Sequence, residues 1–264
     1  MRRAQDYPFF AAPFLAFAHR GGAAYAPNLH RENTVHAFDQ AVRLGYDYLE
    51  TDVHPTQDGV LLAFHDAVLD RVSGHVGRIE DFSSAEIADV RIGGVDRIPT
   101  LAELFETFPN VNFNIDAKSD RTVDLLAREI AEHDAYDRVC VSSFGVRRLH
   151  RLRSLLGPRV PSAASTFGGS LNRFAPWLTR VLDSPGLALQ LPEYQRIGGR
   201  RLRVLTPGLL QAAHRSGKQV HVWTVDDAET MNRLIDVGVD GIFTDRIDTL
   251  KDVLQQRGLW AGTS

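Results

Sequence analysis

The chain has 264 residues, 44% of them hydrophobic and 24% charged, with a formal net charge of −3. That is the make-up of a soluble globule, long enough for one closed α/β barrel, and it gives no reason to expect nucleic acid as a partner. The single cysteine, Cys140, excludes an internal disulfide and a thiolate metal cluster and suits a reducing compartment, so a cytoplasmic protein is expected.

From the N-terminus, Met1-Arg2-Arg3 and the apolar stretch 8–18 have the composition of a signal peptide. Pro8 and Pro13 interrupt that stretch, and cleavage would remove the residues that lead into His19. It therefore reads as a lead-in followed by the first buried strand. No other apolar segment is long enough to span a bilayer.

Short apolar or β-branched runs then alternate with amphipathic segments almost to the end of the chain, the pattern of a parallel α/β fold. Strands are expected at about 14–20, 47–54, 110–117, 138–143, 159–164, 187–191, 219–225 and 240–244. Helices are expected at 34–45, 100–108, 122–135, 145–156, 207–217, 227–238 and 248–257. In the clearest of them Val123, Leu126, Ala127 and Ile130 share one face. Residues 60–64 read as a strand folded back on 48–56 through Asp58-Gly59, and residues 66–98 then break the alternation. The expectation is one (β/α)8 TIM barrel domain over 1–264, with a small insertion after the second strand at about 66–98. An excursion at that end of a barrel usually contributes to the substrate site.

Glu50 and Asp52 stand two apart on a strand, so their side chains share a face. In Asn112-Phe113-Asn114-Ile115-Asp116-Ala117-Lys118 the polar residues alternate with apolar ones, which points Asn114, Asp116 and Lys118 inward. Three carboxylates converging from two adjacent strands need a compensating cation, and hard oxygen donors suit Mg2+ or Ca2+ better than zinc. His19 ends the first strand and His65 ends the folded-back strand, with Arg20 and Lys118 at the same rim. Imidazoles to move protons and cations to hold oxygens suit an anionic phosphorus centre.

Several motifs resemble the glycerophosphodiester phosphodiesterase family. They are His19-Arg20-Gly21-Gly22, Glu32-Asn33-Thr34, Glu50-x-Asp52, Asp58-Gly59 and His65-Asp66-x-x-Leu69-x-Arg71. Further along come Ile98-Pro99-Thr100-Leu101-x-Glu103-Leu104, Val222-Trp223-Thr224-Val225-Asp226 and Gly238-Val239-Asp240-Gly241-Ile242-Phe243-Thr244-Asp245. They run in the family's order over nearly the whole chain. The resemblance implies metal-dependent hydrolysis of a glycerophosphodiester to glycerol 3-phosphate and an alcohol. By it, His19 and His65 are the acid/base pair, with His19 favoured as base. Arg20 and Lys118 contact phosphate, Trp223 lines the substrate cleft, and Glu50, Asp52 and Asp116 ligate one Mg2+ or Ca2+. Asp116 departs from the glutamate of many members, and the segment before Glu32 lacks the family's usual proline.

Blander readings stand beside these. His54 reads as a hydrogen-bonding or packing residue, while Asp240 and Asp245 read as barrel-closing or turn residues rather than ligands. His36, His133, His150 and His214 lie on expected helices as surface or packing residues. Arg147, Arg148, Arg151 and Arg153, with Arg200, Arg201 and Arg203 downstream, could touch lipid headgroups but read rather as a solvated face. Two alternatives remain open. A lysophospholipase D would need an apolar groove, for which Phe82, Phe144, Phe167, Phe174 and Trp177 are candidates. A catalytically inactive binding barrel would need no intact histidines or carboxylates.

Overall fold

The computed structural model describes residues 2–164, 185–197 and 199–262. In its first half β1 (Leu15–His19), α1 (Val35–Arg43), β2 (Tyr48–Pro55) and β3 (Leu61–Ala63) are followed by α2 (Asp70–Ser73) and α3 (Ser84–Ile87). Next come β4 (Arg91–Ile92), β5 (Asp96–Arg97), α4 (Leu101–Thr107), β6 (Asn112–Ala117) and α5 (Thr122–Glu132). The second half has β7 (Val139–Ser142), α6 (Val146–Leu156), β8 (Ala188–Leu191), β9 (Tyr194–Ile197) and β10 (Arg200–Arg203). It ends with α7 (Pro207–Arg215), β11 (Gln219–Val222), α8 (Ala228–Val237), β12 (Gly241–Thr244) and α9 (Ile247–Gln256).

Seven of these strands form a curled parallel sheet in the order β7-β6-β2-β1-β12-β11-β8, with β3 antiparallel on β2. Each lies within a few residues of its expected place. Of the expected fifth strand at 159–164, Arg159 ends a 3-10 turn, and only Ser162 and Ala163 form isolated parallel bridges, to Val141 of β7 and to Ala188 of β8. Helix boundaries follow side-chain chemistry. Thr34, Thr100, Thr206 and Asp227 each accept a hydrogen bond from a backbone N–H of the first turn, which satisfies one of its orphan donors.

Alternation along the strands splits the buried residues into two cores. Ala16, Ala18, Leu49, Val53, Phe113 and Ile115 face outward and pack with the apolar stripes of the helices. Leu15, Phe17, Tyr48, Cys140, Ala188 and Phe243 face inward and fill the space below the site. The lead-in closes this inner core from beneath. Phe9 and Phe10 are buried on a short 3-10 turn, Phe17 stacks on Phe243 at 4.1 Å between ring centres, and Tyr48 donates to the Phe9 carbonyl.

The segment 66–98 has a small core of its own, in which Leu69, Ile79, Ile87, Val90 and Ile92 pack with Leu62 and Phe64 of the folded-back strand. Two features lay outside the sequence reading. One is the antiparallel β9–β10 ribbon, and the other is the β4–β5 pair.

His221 sits in the aromatic floor, fully buried, beside Phe10, Phe17 and Phe243. Burial pushes its imidazole down to about 3, so the folded protein holds it neutral. The unfolded chain takes up a proton below about 6.5 and the folded chain does not, so stability must fall as pH drops through this window. Between pH 7 and about 4.5 this one residue should remove roughly 2–3 kcal/mol. Urea unfolding of wild type and His221→Gln at both pH values should show that extra loss in wild type only. Equal losses in the two proteins would mean that His221 is not the group responsible.

Candidate active site

The site lies on the inward-facing side chains at the carboxyl ends of the strands. Strand register sets it. His19 is level with Glu50, and Asp52 is level with Asp116, so the two-residue periodicity brings three carboxylates and one imidazole to one end of the sheet. All three carboxylates are at most 6% exposed. They line a cleft of about 550 Å3 together with His19, Arg20, His65, Lys118 and Trp223, so the eight residues singled out in the sequence meet in one cavity.

The His-Arg-Gly-Gly turn is shaped by close packing. A Cβ at Gly21 would lie 2.7 Å from that of Ala37 on α1, and one at Gly22 would lie 2.7 Å from the Ile247 side chain on α9. Both glycines have φ near +90°, and Arg20 itself sits at φ 50°, an uncommon position for a residue with a side chain. The turn aims the Arg20 backbone N–H at Glu50 Oε2, 3.1 Å away.

Charge compensation is local. Lys118 Nζ lies 2.7 Å from Asp52 Oδ1 and 2.8 Å from Asp116 Oδ2, and Arg20 Nε lies 3.5 Å from Asp52 Oδ2. Burial raises the Asp52 carboxyl, but Lys118 and Arg20 outweigh it and hold Asp52 below the usual range. Glu50 is less well served. Burial and the neighbouring Asp52 push it up to about 7, against the pull of His19, Arg20 and Lys118. Burial also raises Asp116, and its Oδ1 is buried with no hydrogen-bond partner.

A divalent cation can be tested against these donors. Three buried carboxylates, excess negative charge at Glu50 and an orphaned oxygen on Asp116 match the chemistry of a hard ion. In the present arrangement Lys118 serves as counter-ion to two of the three. Among the described residues no three His, Cys, Asp or Glu side chains close around one point. Buried Arg20 Nε also has no hydrogen-bond partner, which leaves a donor for an anionic oxygen.

Each histidine is oriented by an aspartate. His19 Nδ1 donates to Asp245 Oδ1 at 2.8 Å, which leaves Nε2 on the side of Glu50, 3.8 Å from its Oε2. Burial lowers the His19 imidazole, but Glu50 and Asp245 together bring it above its ordinary value. His65 Nδ1 donates to Asp66 Oδ1 at 2.6 Å, and His54 Nε2 donates to the His65 carbonyl, the hydrogen-bonding role expected of His54. Asp245, read from the sequence as a turn residue, is in fact the partner of His19. Its place one step past β12, in phase with the inward Phe243, was the available signal.

A chain of ion pairs ties the segment 66–98 to this site. Arg71 on α2 donates to both oxygens of Glu32 at 2.9 and 2.6 Å, and its Nε donates to Asp66. Glu32 in turn receives Arg20 at 3.2 Å. Arg31 forms a two-pronged pair with Asp96 of β5. Of the groove candidates, Phe144 lies at the cleft with its ring 6.1 Å from that of Trp223, whereas Phe82 packs in the insertion core. Phe167, Phe174 and Trp177 lie outside the described residues.

The model of the glycerophosphoryl diester phosphodiesterase family matches residues 19–249. The chain belongs to that family. It is accordingly a phosphoric diester hydrolase. A Mycobacterium tuberculosis relative named "Probable glycerophosphodiester phosphodiesterase 2" is 38% identical over 94% of this chain and 93% of its own length. A Homo sapiens lysophospholipase D is 29% identical, covering 90% of this chain and 85% of the relative. In structure the chain resembles an Oleispira antarctica phosphodiesterase solved with the product sn-glycerol-3-phosphate. The TM-score is 0.76 and the identity 22%, covering 91% of this chain and 96% of that one.

Loss of an orienting carboxylate leaves the imidazole free to take the wrong tautomer. Asp245→Asn should lower kcat on a phosphodiester by about a hundredfold or more with the fold intact. Steady-state kinetics beside a thermal melt checks this. An unchanged kcat would return Asp245 to a turn role.

Proposed function

We propose that this hydrolase cleaves glycerophosphodiesters to glycerol 3-phosphate and an alcohol, with His19 and His65 as the acid/base pair. The observation that carries the reading is the pair of Asp-held imidazoles flanking a buried carboxylate–lysine cluster in one cleft. The family match and the named activities of the relatives support the same substrate class.

In this reading Arg20 and Lys118 hold the phosphate oxygens and take up the charge that builds on phosphorus. His19, with Nδ1 fixed by Asp245, accepts a proton at Nε2 from the attacking group, either a water or the glycerol 2-hydroxyl; in the second case the alcohol leaves first and a water then opens the resulting cyclic phosphate to glycerol 3-phosphate. His65, fixed in the same way by Asp66, protonates the leaving alkoxide. Trp223 and Phe144 bound the side of the cleft where the rest of the substrate lies. Glu50, Asp52 and Asp116 would hold one divalent cation, Mg2+ or Ca2+, which when bound supplies Lewis-acid neutralisation of a phosphate oxygen. We read the whole as a single (β/α)8 barrel domain, with residues 161–164 completing the ring and 66–98 inserted after the second strand. The net charge of −3 gives nucleic acid no footing as a partner, and buried Cys140 suits a cytoplasmic setting.

Lysophospholipase D activity is the second reading. One wall of the cleft is apolar, formed by Leu189, Leu191, Pro192 and Leu202 beside Phe144, and it has room for the start of an acyl chain. Release of product from glycerophosphocholine and from lysophosphatidylcholine, each with EDTA, Mg2+ or Ca2+, separates the two. We expect metal-dependent release from glycerophosphocholine, reduced by about 10^3-fold in His19→Ala. Release from the lysolipid alone would favour the second reading. No release from either with any cation would leave an inactive binding barrel.

A further inference from the structure

The ribbon formed by β9 and β10 carries charge beyond Arg203, the one of its arginines that lines the cleft. Residues 194–203 contain four arginines, Arg196, Arg200, Arg201 and Arg203, and no acid, in a chain whose net charge is −3. Its base is fixed. Glu193, only 9% exposed, receives both guanidinium nitrogens of Arg233 on α8 at 2.7 Å, and its carbonyl accepts from Val204 N–H at 2.8 Å. That carboxylate also stands 3.6 Å from Arg203, so the acid at the base is already committed.

Further out, compensation stops. Arg196 and Arg201 are directly opposite each other across the two strands, and both are exposed. Like charges in that position repel unless an anion meets them. Among the described residues no carboxylate forms an ion pair with Arg196, Arg200 or Arg201, and the Arg201 guanidinium lies instead over the Tyr194 ring at 4.1 Å. Three of the four α6 arginines differ. Arg148 is held by Asp120 and by backbone carbonyls, Arg151 by Asp124, and Arg153 by Ser162 and Ala163. The two basic runs of the sequence therefore have different fates, and the downstream one is left open.

The ribbon also stands at the mouth of the cleft, since Gln195 and Leu202 line it together with Phe144 and Trp223. Apolar surface is exposed at the same rim, at 62% for Phe144, 42% for Leu202 and 37% for Tyr194. Uncompensated arginines beside exposed aromatic and aliphatic groups suit a layer of anionic headgroups over hydrocarbon better than a nucleic acid. We propose that the β9–β10 ribbon and Phe144 form a docking surface for an anionic lipid bilayer, which would set the mouth of the cleft against the membrane. The surface needs no particular reaction chemistry, so it stands or falls apart from the substrate assignment.

The test is co-sedimentation of the full chain with vesicles of phosphatidylcholine, with and without about 30 mol% phosphatidylglycerol, at low and high salt. Wild type should bind the anionic vesicles, release them at high salt, and leave pure phosphatidylcholine largely unbound. The triple variant Arg196→Gln/Arg200→Gln/Arg201→Gln, which touches no cleft-lining residue, should bind at least about tenfold more weakly while its melting temperature and turnover of a soluble phosphodiester stay the same. Phe144→Ser should weaken binding with little change in its salt dependence. Wild type free of anionic vesicles would overturn the proposal, as would a triple variant that binds like wild type. So would tighter, equally salt-sensitive binding to a single-stranded RNA oligonucleotide.

Discussion

Three carboxylates buried side by side at one end of a sheet are the constraint around which this chain is arranged. At such separations in a protein interior, like charges repel by several kcal/mol unless cations are built in beside them. Arg20 and Lys118 are those cations. Lys118 bridges two of the carboxylates, while Arg20 gives a backbone N–H to Glu50 and its guanidinium to Asp52 and Glu32. The local backbone follows from this. Arg20 can be in contact with both groups because two glycines let the chain turn hard against α1 and α9, where no Cβ would fit. The compensation remains incomplete at Glu50 and at Asp116 Oδ1. Incomplete compensation is what one expects where an external charge is to be received.

The interior beneath the site strengthens this electrostatics. Phe9, Phe17, Tyr48, Phe243 and neutral His221 fill the lower part of the sheet with few polar atoms, so the field of the charged layer is not screened from below. A dry floor and a charged roof are made from the same strands by alternate residues. In β1, Leu15 and Phe17 belong to the floor and His19 to the site; in β2, Tyr48 belongs to the floor and Glu50 and Asp52 to the site. Shifting either strand by one residue would exchange inner and outer faces and undo both layers together.

That alternation is why so much was legible from residues alone. Seven strands follow from short apolar runs, and the inward-facing Glu50, Asp52, Asn114, Asp116 and Lys118 follow from period-two patterning. What could not be read depends on contacts far apart in sequence. The pairing of His19 with Asp245 spans 226 positions, and that of Arg71 with Glu32 spans 39. Apart from the inward phase of Asp245 at the end of β12, nothing local distinguishes these side chains from turn or surface charges. The β9–β10 ribbon escaped for another reason. Its strands are rich in arginine, with no apolar alternation to mark them, and a Gly-Gly pair in the sequence is a weak turn signal when the flanks are polar.

The Glu32–Arg71–Asp66 chain gives the insertion a physical place in the site. Burial works against the Glu32 carboxylate, but Arg71 and Arg20 together hold it below the usual range, so it stays ionised and keeps both guanidiniums in place. Arg71 also holds Asp66, which orients His65, and Asp66 is likewise held low despite its partial burial. One side chain from α2 thus braces Arg20 and His65 through two different carboxylates. The two histidines are supported in the same way from opposite parts of the fold, His19 by the last strand of the sheet and His65 by the insertion. Without residues 66–98 the sheet would keep its three carboxylates but lose Asp66 and Arg71, the side chains that fix His65.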